Sequence, residues 1–214
     1  MRVLVACEES QAITIELRKL GHEAYSCDIM PCSGGHPEWH RQEDVTAGIL
    51  DEPWDMVIAH PPCTYLTVTG NRWFNVEKYG EKAIERMRLR EEAADFFMLF
   101  AHLDHVPRVA IENPKGVMST KWRKPDQMVH PYWFGDPHKK ETCWWLKGLP
   151  LLEATDMVDP SANEYVYANG KKDSLWHMET MRLPAEERAR VRSKTWPGMA
   201  KAIAEQWAGP AGSM

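Results

Sequence analysis

No stretch of the 214 residues approaches about eighteen consecutive apolar positions, so the sequence offers no helix able to cross a membrane. Cysteine is sparse and odd in number, five in all. The opening Met1-Arg-Val-Leu-Val-Ala-Cys7 gives way at once to Glu8 and Glu9, too soon for the apolar core of a secretory signal. Free thiols in a reducing cytoplasm are therefore expected, not a disulfide scaffold. Positive charge is also short: the net charge is -5, which excludes a uniformly basic coat for a polyanion. The deficit is uneven. Residues 1–114 carry eleven Lys+Arg against nineteen Asp+Glu, a balance of -8, and residues 115–214 carry fifteen against twelve, a balance of +3. A polyanion would meet the second half. Internal repeats and low-complexity linkers are missing as well, and the length suits one domain with a small appendage.

What is present alternates strand and helix. Arg2–Ala6 reads as a buried strand, and Gln11–Leu20 as a helix with Ile13, Leu17 and Leu20 on one face, stopped at Gly21. Glu23–Cys27 is a second strand closing on Asp28, and Gln42–Val45 a short third carrying Asp44. Met56–Ala59, bounded by Pro61-Pro62, is a fourth, and Arg108–Asn113 repeats that design with Glu112 near its end. Between them Thr64–Gly80 reads as a mobile surface loop. Glu81–Leu103 is the clearest helix, with Ile84, Met87, Ala94, Phe97 and Ala101 predicted on its inward stripe. Lys139–Leu146 is a further strand, Asn169-Gly170 turns a hairpin, Pro184 opens a helix to about Ser193, and Met199–Trp207 closes the chain. This order predicts an α/β fold, a mostly parallel sheet with helices on both faces. Ligands of such sheets lie beyond the carboxyl ends of the strands, where Cys7–Ser10, Asp28, Asp44, His60–Cys63 and Glu112–Pro114 would converge.

A thiol and a carboxyl at one such edge suit one chemistry. A pyrimidine is a poor nucleophile at carbon 5 until a thiolate adds at carbon 6, and a proton or hydrogen bond at ring nitrogen 3 relieves the charge that addition creates. Cys63 is the candidate nucleophile and Glu112 the candidate acid, its apolar approach Val109-Ala-Ile111 implying a raised pKa. The spacing Cys27-x4-Cys32-x3-His36-x3-His40 resembles a zinc set, but Cys27 falls within a strand and no metal is expected.

Pro62-Cys63 and Glu112-Asn113-Pro114, in this order with a helix between them, resemble the cytosine carbon-5 DNA methyltransferase family, as short phage-encoded relatives would. The resemblance implies a Rossmann-like, S-adenosylmethionine-dependent fold in a bacterial or phage-infected cytoplasm, with a cytosine flipped out of DNA into the cleft. It implies donor contacts from Cys7, Glu8, Glu9, Ser10, Asp28, Ile29, Asp44, His60 and Pro61. Around the base it implies Pro62, Asn113, Pro114 and, at the place of the family's Gln-x-Arg-x-Arg segment, Lys139, Lys140 and Thr142. The family's first loop reads Phe-x-Gly-x-Gly; here it is Ala6-Cys-Glu-Glu-Ser-Gln11, without glycine. The expected organisation is a catalytic and donor-binding core over 1–146, a reduced recognition region over 147–180 and helices packing back over 181–214. Two alternatives stand beside cytosine in DNA: a free cytosine nucleotide, or an idle relative that binds nucleic acid or a host protein. The donor can also be a carboxylated analogue, with Arg192 or Lys194 as its counter-ion.

Overall fold

The computed structural model describes residues 1–212. Seven strands form one sheet: β1 (Arg2–Ala6), β2 (Glu23–Asp28), β3 (His40–Gln42), β4 (Met56–Ala59), β5 (Arg108–Asn113), β6 (Gln127–Val129) and β7 (Thr142–Lys147). Their spatial order is β3-β2-β1-β4-β5-β7-β6. The first five are parallel, while β7 runs antiparallel to both β5 and β6. This is a mostly parallel, Rossmann-like α/β sheet, in which the strand order reverses at β1 and the crevice beyond β1 and β4 is the place for ligands.

Alternation of side chains along the central strands divides the core into two layers. Val57, Ala59, Val109 and Ile111 face the long helix α3 (Glu81–Ala101), which buries Ala94, Phe97 and Phe100 against Trp145. Met56, Ile58 and Ala110 face the opposite way, onto Ile13 and Leu17 of α1 (Ala12–Lys19) and the closing segment. That segment is α7 (Pro197–Ile203) followed by a π-turn over Ala204–Ala208, and it buries Met199, Ile203 and Trp207. Its close docking needs Gly198, where a Cβ would stand 1.7 Å from the Phe134 carbonyl oxygen. With both faces covered, the near-continuous apolar runs of β1 and β4 are accounted for.

Several boundaries differ from the expectation. β3 ends before Asp44, because the Asp44 carboxylate accepts from the Thr46 amide and hydroxyl and turns the chain. Ile84 and Met87 are 48% and 41% exposed. In the first half of α3 Ala83 is the buried apolar position, and Arg86 and Arg90 both stack over Phe74. The segment after Cys63 is not a free loop: it holds a 3-10 turn over Val68–Phe74 and α2 (Val76–Tyr79). The second half adds α4 (Met118–Lys121), the hairpin β8 (Glu164–Val166) and β9 (Lys172–Ser174), α5 (Leu175–Thr180) and α6 (Ala185–Ser193). The residues of the zinc-like spacing are occupied elsewhere. Cys27 is buried with its thiol on the Glu43 carbonyl, His36 stacks on Trp39, and His40 meets Ser26.

Candidate active site

The register of β4 and β5 builds the centre of the site. Ala59 lies beside Ile111, so the next residues, His60 and Glu112, emerge side by side on one face. His60 Nδ1 is 3.5 Å from Glu112 Oε2, and the imidazole meets the edge of Trp144. One position further, Asn113 Nδ2 donates to the Pro61 carbonyl at 2.8 Å, tying the two strand ends together. Pro61 and Pro62 have no N–H to continue the ladder, so the chain leaves the sheet there. It then folds back tightly, the Cys63 carbonyl accepting from the amides of Leu66 and Thr67. Leu66 is fully buried, Thr67 bridges Gly116, and Arg86 and Arg90 hold the carbonyls of Thr64 and Tyr65. A Cβ at Gly116 would lie 2.2 Å from the Leu66 carbonyl oxygen, so the Cys63 and Glu112 segments touch through a glycine. The expectation of a mobile loop directly after Cys63 is thereby corrected: its first turn is pinned.

Cys63 and Glu112 open into one cavity of about 630 Å³. Pro62, Pro114, Thr67 and Thr69 flank them, and Cys7, His60 and Pro61 line the side nearest β1. The opposite wall comes from the second half of the chain, with Lys139, Lys140, Ser174, Trp176, His177 and Arg192. Thr142 is buried beneath it, close to the Lys140 carbonyl. Lys139 is engaged by Glu164, which also holds Lys172.

The two central groups rest in the states that their surroundings favour. Burial raises the pKa of Glu112, but the hydrogen bond from His60 and the charges of Lys140 and His60 outweigh it and hold the carboxyl below its usual range. The expected raised carboxyl is thus corrected; β4 supplies a partner that the run Val109-Ala-Ile111 does not reveal. Burial in the cleft and the Glu112 charge push the Cys63 thiol upward, against the lowering charges of Lys140 and Arg192. The resting pair is a carboxylate beside a thiol.

The residues assigned to the donor divide. Glu8 is buried and turned into α1, accepting from the Ile13 and Thr14 amides and the Thr14 hydroxyl; it is a helix cap, not an open contact. Ser10 lies at the start of that helix, its hydroxyl 3.5 Å from the Ala12 amide. Asp44 is committed to its own turn. His60 is drawn to Glu112 and the chemistry. Glu9 keeps both carboxylate oxygens shielded from solvent and without a partner among the described residues. Asp28 accepts from the Met30 amide, and burial raises its pKa. Beside it Ile29 is 67% exposed, an apolar side chain left open at the strand end. An unpaired carboxylate, an acid at the end of β2 and a bare aliphatic surface fit a cationic, ring-bearing donor. Ser174, Trp176 and His177 were not singled out from the sequence; they reach the cavity through the β8–β9 hairpin and α5, whose docking no local pattern encodes.

No family model matches the chain, and no curated protein does. Among solved structures, an E. coli prophage-encoded protein described as a DNA modification methyltransferase superposes with a TM-score of 0.46 at 17% identity, over 73% of this chain and 51% of that one. A mutant of Spodoptera frugiperda DNMT2 superposes with a TM-score of 0.42 at 12% identity, over 73% and 54%. The chain thus spans about half the length of each structure that it resembles.

Proposed function

We propose that this chain transfers a methyl group from S-adenosylmethionine to carbon 5 of cytosine in DNA, with Cys63 as nucleophile and Glu112 as proton carrier. The observation that carries the reading is the opening of a thiol and a carboxylate, from adjacent parallel strands, onto one cavity. Cys63 sulfur adds to carbon 6 of the ring while its proton passes to Glu112 and from there to ring nitrogen 3, so that no net charge is created in the cleft. The resting protonation of the pair supports this order, since the thiol holds the proton and the carboxylate is ready to take it. His60 fixes the carboxylate: its Nδ1 stands 3.5 Å from Glu112 Oε2, while Nε2 is shielded and has no partner among the described residues. The donor, when bound, supplies an electrophilic methyl group, with Glu9, Asp28 and Ile29 as the residues that would hold it. Loss of the carbon-5 proton to water expels Cys63 as thiolate, and return of the nitrogen-3 proton to the sulfur through Glu112 restores both the ring and the resting thiol.

A free cytosine nucleotide is the second reading of the same site, favoured by the hairpin and α6 walling the cavity opposite Cys63. Incubation with an oligonucleotide carrying 5-fluorocytosine tests the chemistry, because fluorine at carbon 5 cannot leave as a proton. A covalent complex mapping to Cys63, absent in Cys63→Ala, is expected, and mass spectrometry of the natural product should place the new group on carbon 5. Unchanged turnover in Cys63→Ala refutes the proposal.

A further inference from the structure

The cavity is lined by cations on the wall that the second half of the chain supplies, and by Cys7 on the side nearest β1. Near β1, Asp28 and Asp44 act on Cys7, whose thiol is pushed up mainly by burial and then by those charges, and the unpaired Glu9 carboxylate lies in the same loop. On the opposite wall Lys140 and Arg192 have no carboxylate within ion-pair distance among the described residues, although Lys139 and Lys172 do. Lys140 Nζ donates to the Arg192 carbonyl at 3.0 Å, and the Arg192 guanidinium meets His177 Nδ1. Asp173 lines the same wall and its charge favours protonated Arg192, against burial and Arg188. Trp176 lies under both cations, 6.0 Å from Lys140 Nζ and 5.7 Å from Arg192 Cζ. The Ser174 hydroxyl, on the same wall, is shielded and has no partner. Two cations without a carboxylate at ion-pair distance and an unused hydroxyl form a set that suits a phosphate, with arginine offering a forked donor and lysine a point charge. Both cations line the same cavity as Cys63 and lower its pKa.

We infer that Lys140, Arg192 and Ser174 bind the 5′-phosphate of the nucleotide whose base lies against Cys63 and Glu112, an assignment that rests on the cytosine reading above. The cavity volume falls in the range of sites that enclose a single small ligand. The phosphate comes from a strand or from a free mononucleotide, and the recognition is the same in both.

Calorimetry on the full chain separates the possibilities, with deoxycytidine, deoxycytidine 5′-monophosphate and a short single-stranded oligonucleotide containing one cytosine as probes. The monophosphate should bind at least about tenfold more tightly than the nucleoside, an advantage that weakens as salt rises. Lys140→Met and Arg192→Gln should each remove about tenfold of that advantage, read as the ratio of monophosphate to nucleoside affinity within each variant. Lys140→Arg should retain most of it, and melting curves check that each variant folds. An oligonucleotide binding more tightly than the monophosphate, with the same losses, assigns the phosphate to a strand; the reverse order assigns it to the free nucleotide. Equal binding of nucleoside and monophosphate, or a ratio that neither variant changes, overturns the phosphate site. Phosphate-dependent binding, lost in the variants, of deoxyadenosine and deoxycytidine monophosphates alike would retain the site and refute the cytosine reading.

Discussion

Replacing His60 with alanine tests how the carboxylate is held. In the parent, Glu112 is pulled up by burial and down by His60 and Lys140, with the downward pull winning. A hydrogen bond to a charged group contributes roughly 1.5–3 kcal/mol, and a 3.5 Å separation belongs at the weak end of that range. Removing it should raise the Glu112 pKa, since burial then acts against Lys140 alone. The thiol next to it is the reporter, because ionised Glu112 raises the pKa of Cys63. A pyridyl disulfide that reacts with thiols in acid, followed peptide by peptide with mass spectrometry, gives the Cys63 rate against pH. The logarithm of that rate should climb, flatten where Glu112 ionises, and climb again; in His60→Ala the flattened region should move to higher pH. Stability gives a second readout. A carboxyl with a lowered folded-state pKa stabilises above its unfolded pKa and loses that contribution as pH falls through the folded value. His60→Ala should therefore cost stability near neutrality, with the deficit closing in acid. Superimposable rate profiles, or a shift downward, would refute the idea that His60 sets the charge of Glu112.

Lys140 lowers the Cys63 pKa, so Lys140→Met should slow thiol modification at neutral pH by a factor of about ten for each unit that the pKa rises, a difference vanishing once the pH exceeds both values. Glu8→Ala removes three acceptor contacts from the start of α1, partly offset by relief of a buried carboxyl whose pKa burial raises. A net loss of about 2 kcal/mol is expected, or a melting point lower by about 4–8 °C, and a change below one degree would contradict the capping role. Gly116→Ala forces a Cβ against the Leu66 carbonyl and should lower adduct formation with 5-fluorocytosine more than it lowers the melting point of the whole chain. Equal trapping rates in variant and parent would show that the contact does not position Cys63.

The parts of the fold legible in the sequence are those with strong local pattern. The continuous apolar runs of β1 and β4, the helical stripe of α1 and the Asn169-Gly170 turn stand close to where they were expected. β6, three residues long and flanked by loop, carries too little pattern to be seen, and β3 was misplaced because a side-chain turn at Asp44 ends it early. Cys63 and Glu112 were visible as strand-end groups, but the protonation of Glu112 was not. It depends on a histidine of the neighbouring strand brought alongside by register, a long-range fact. The basic wall depends on the hairpin and two helices folding back across the cavity, so Trp176 and Ser174 bear no local sign of their role.

The glycine-free loop after β1 holds two backbone positions that glycine usually occupies. Cys7 and Gln11 take φ values of 59° and 58°, in the left-handed region where glycine is the usual occupant. Each costs about 1 kcal/mol or more and persists only where its surroundings fix it. Gln11 is fixed: its buried amide donates to the His36 carbonyl and Ser26 hydroxyl and accepts from the His36 amide. Between the two strained positions, Glu8 is locked into α1 and the Glu9 carbonyl accepts from the Ser33 amide. The close approach that demands a glycine has moved to the covering segment, where a Cβ at Gly34 would stand 2.6 Å from the Gln11 Cβ and 2.7 Å from the Ser10 carbonyl oxygen. Side-chain hydrogen bonds and a glycine in the covering segment thus hold the strained loop. With its backbone held from both sides, the loop keeps the Glu9 carboxyl shielded and without a hydrogen-bond partner among the described residues.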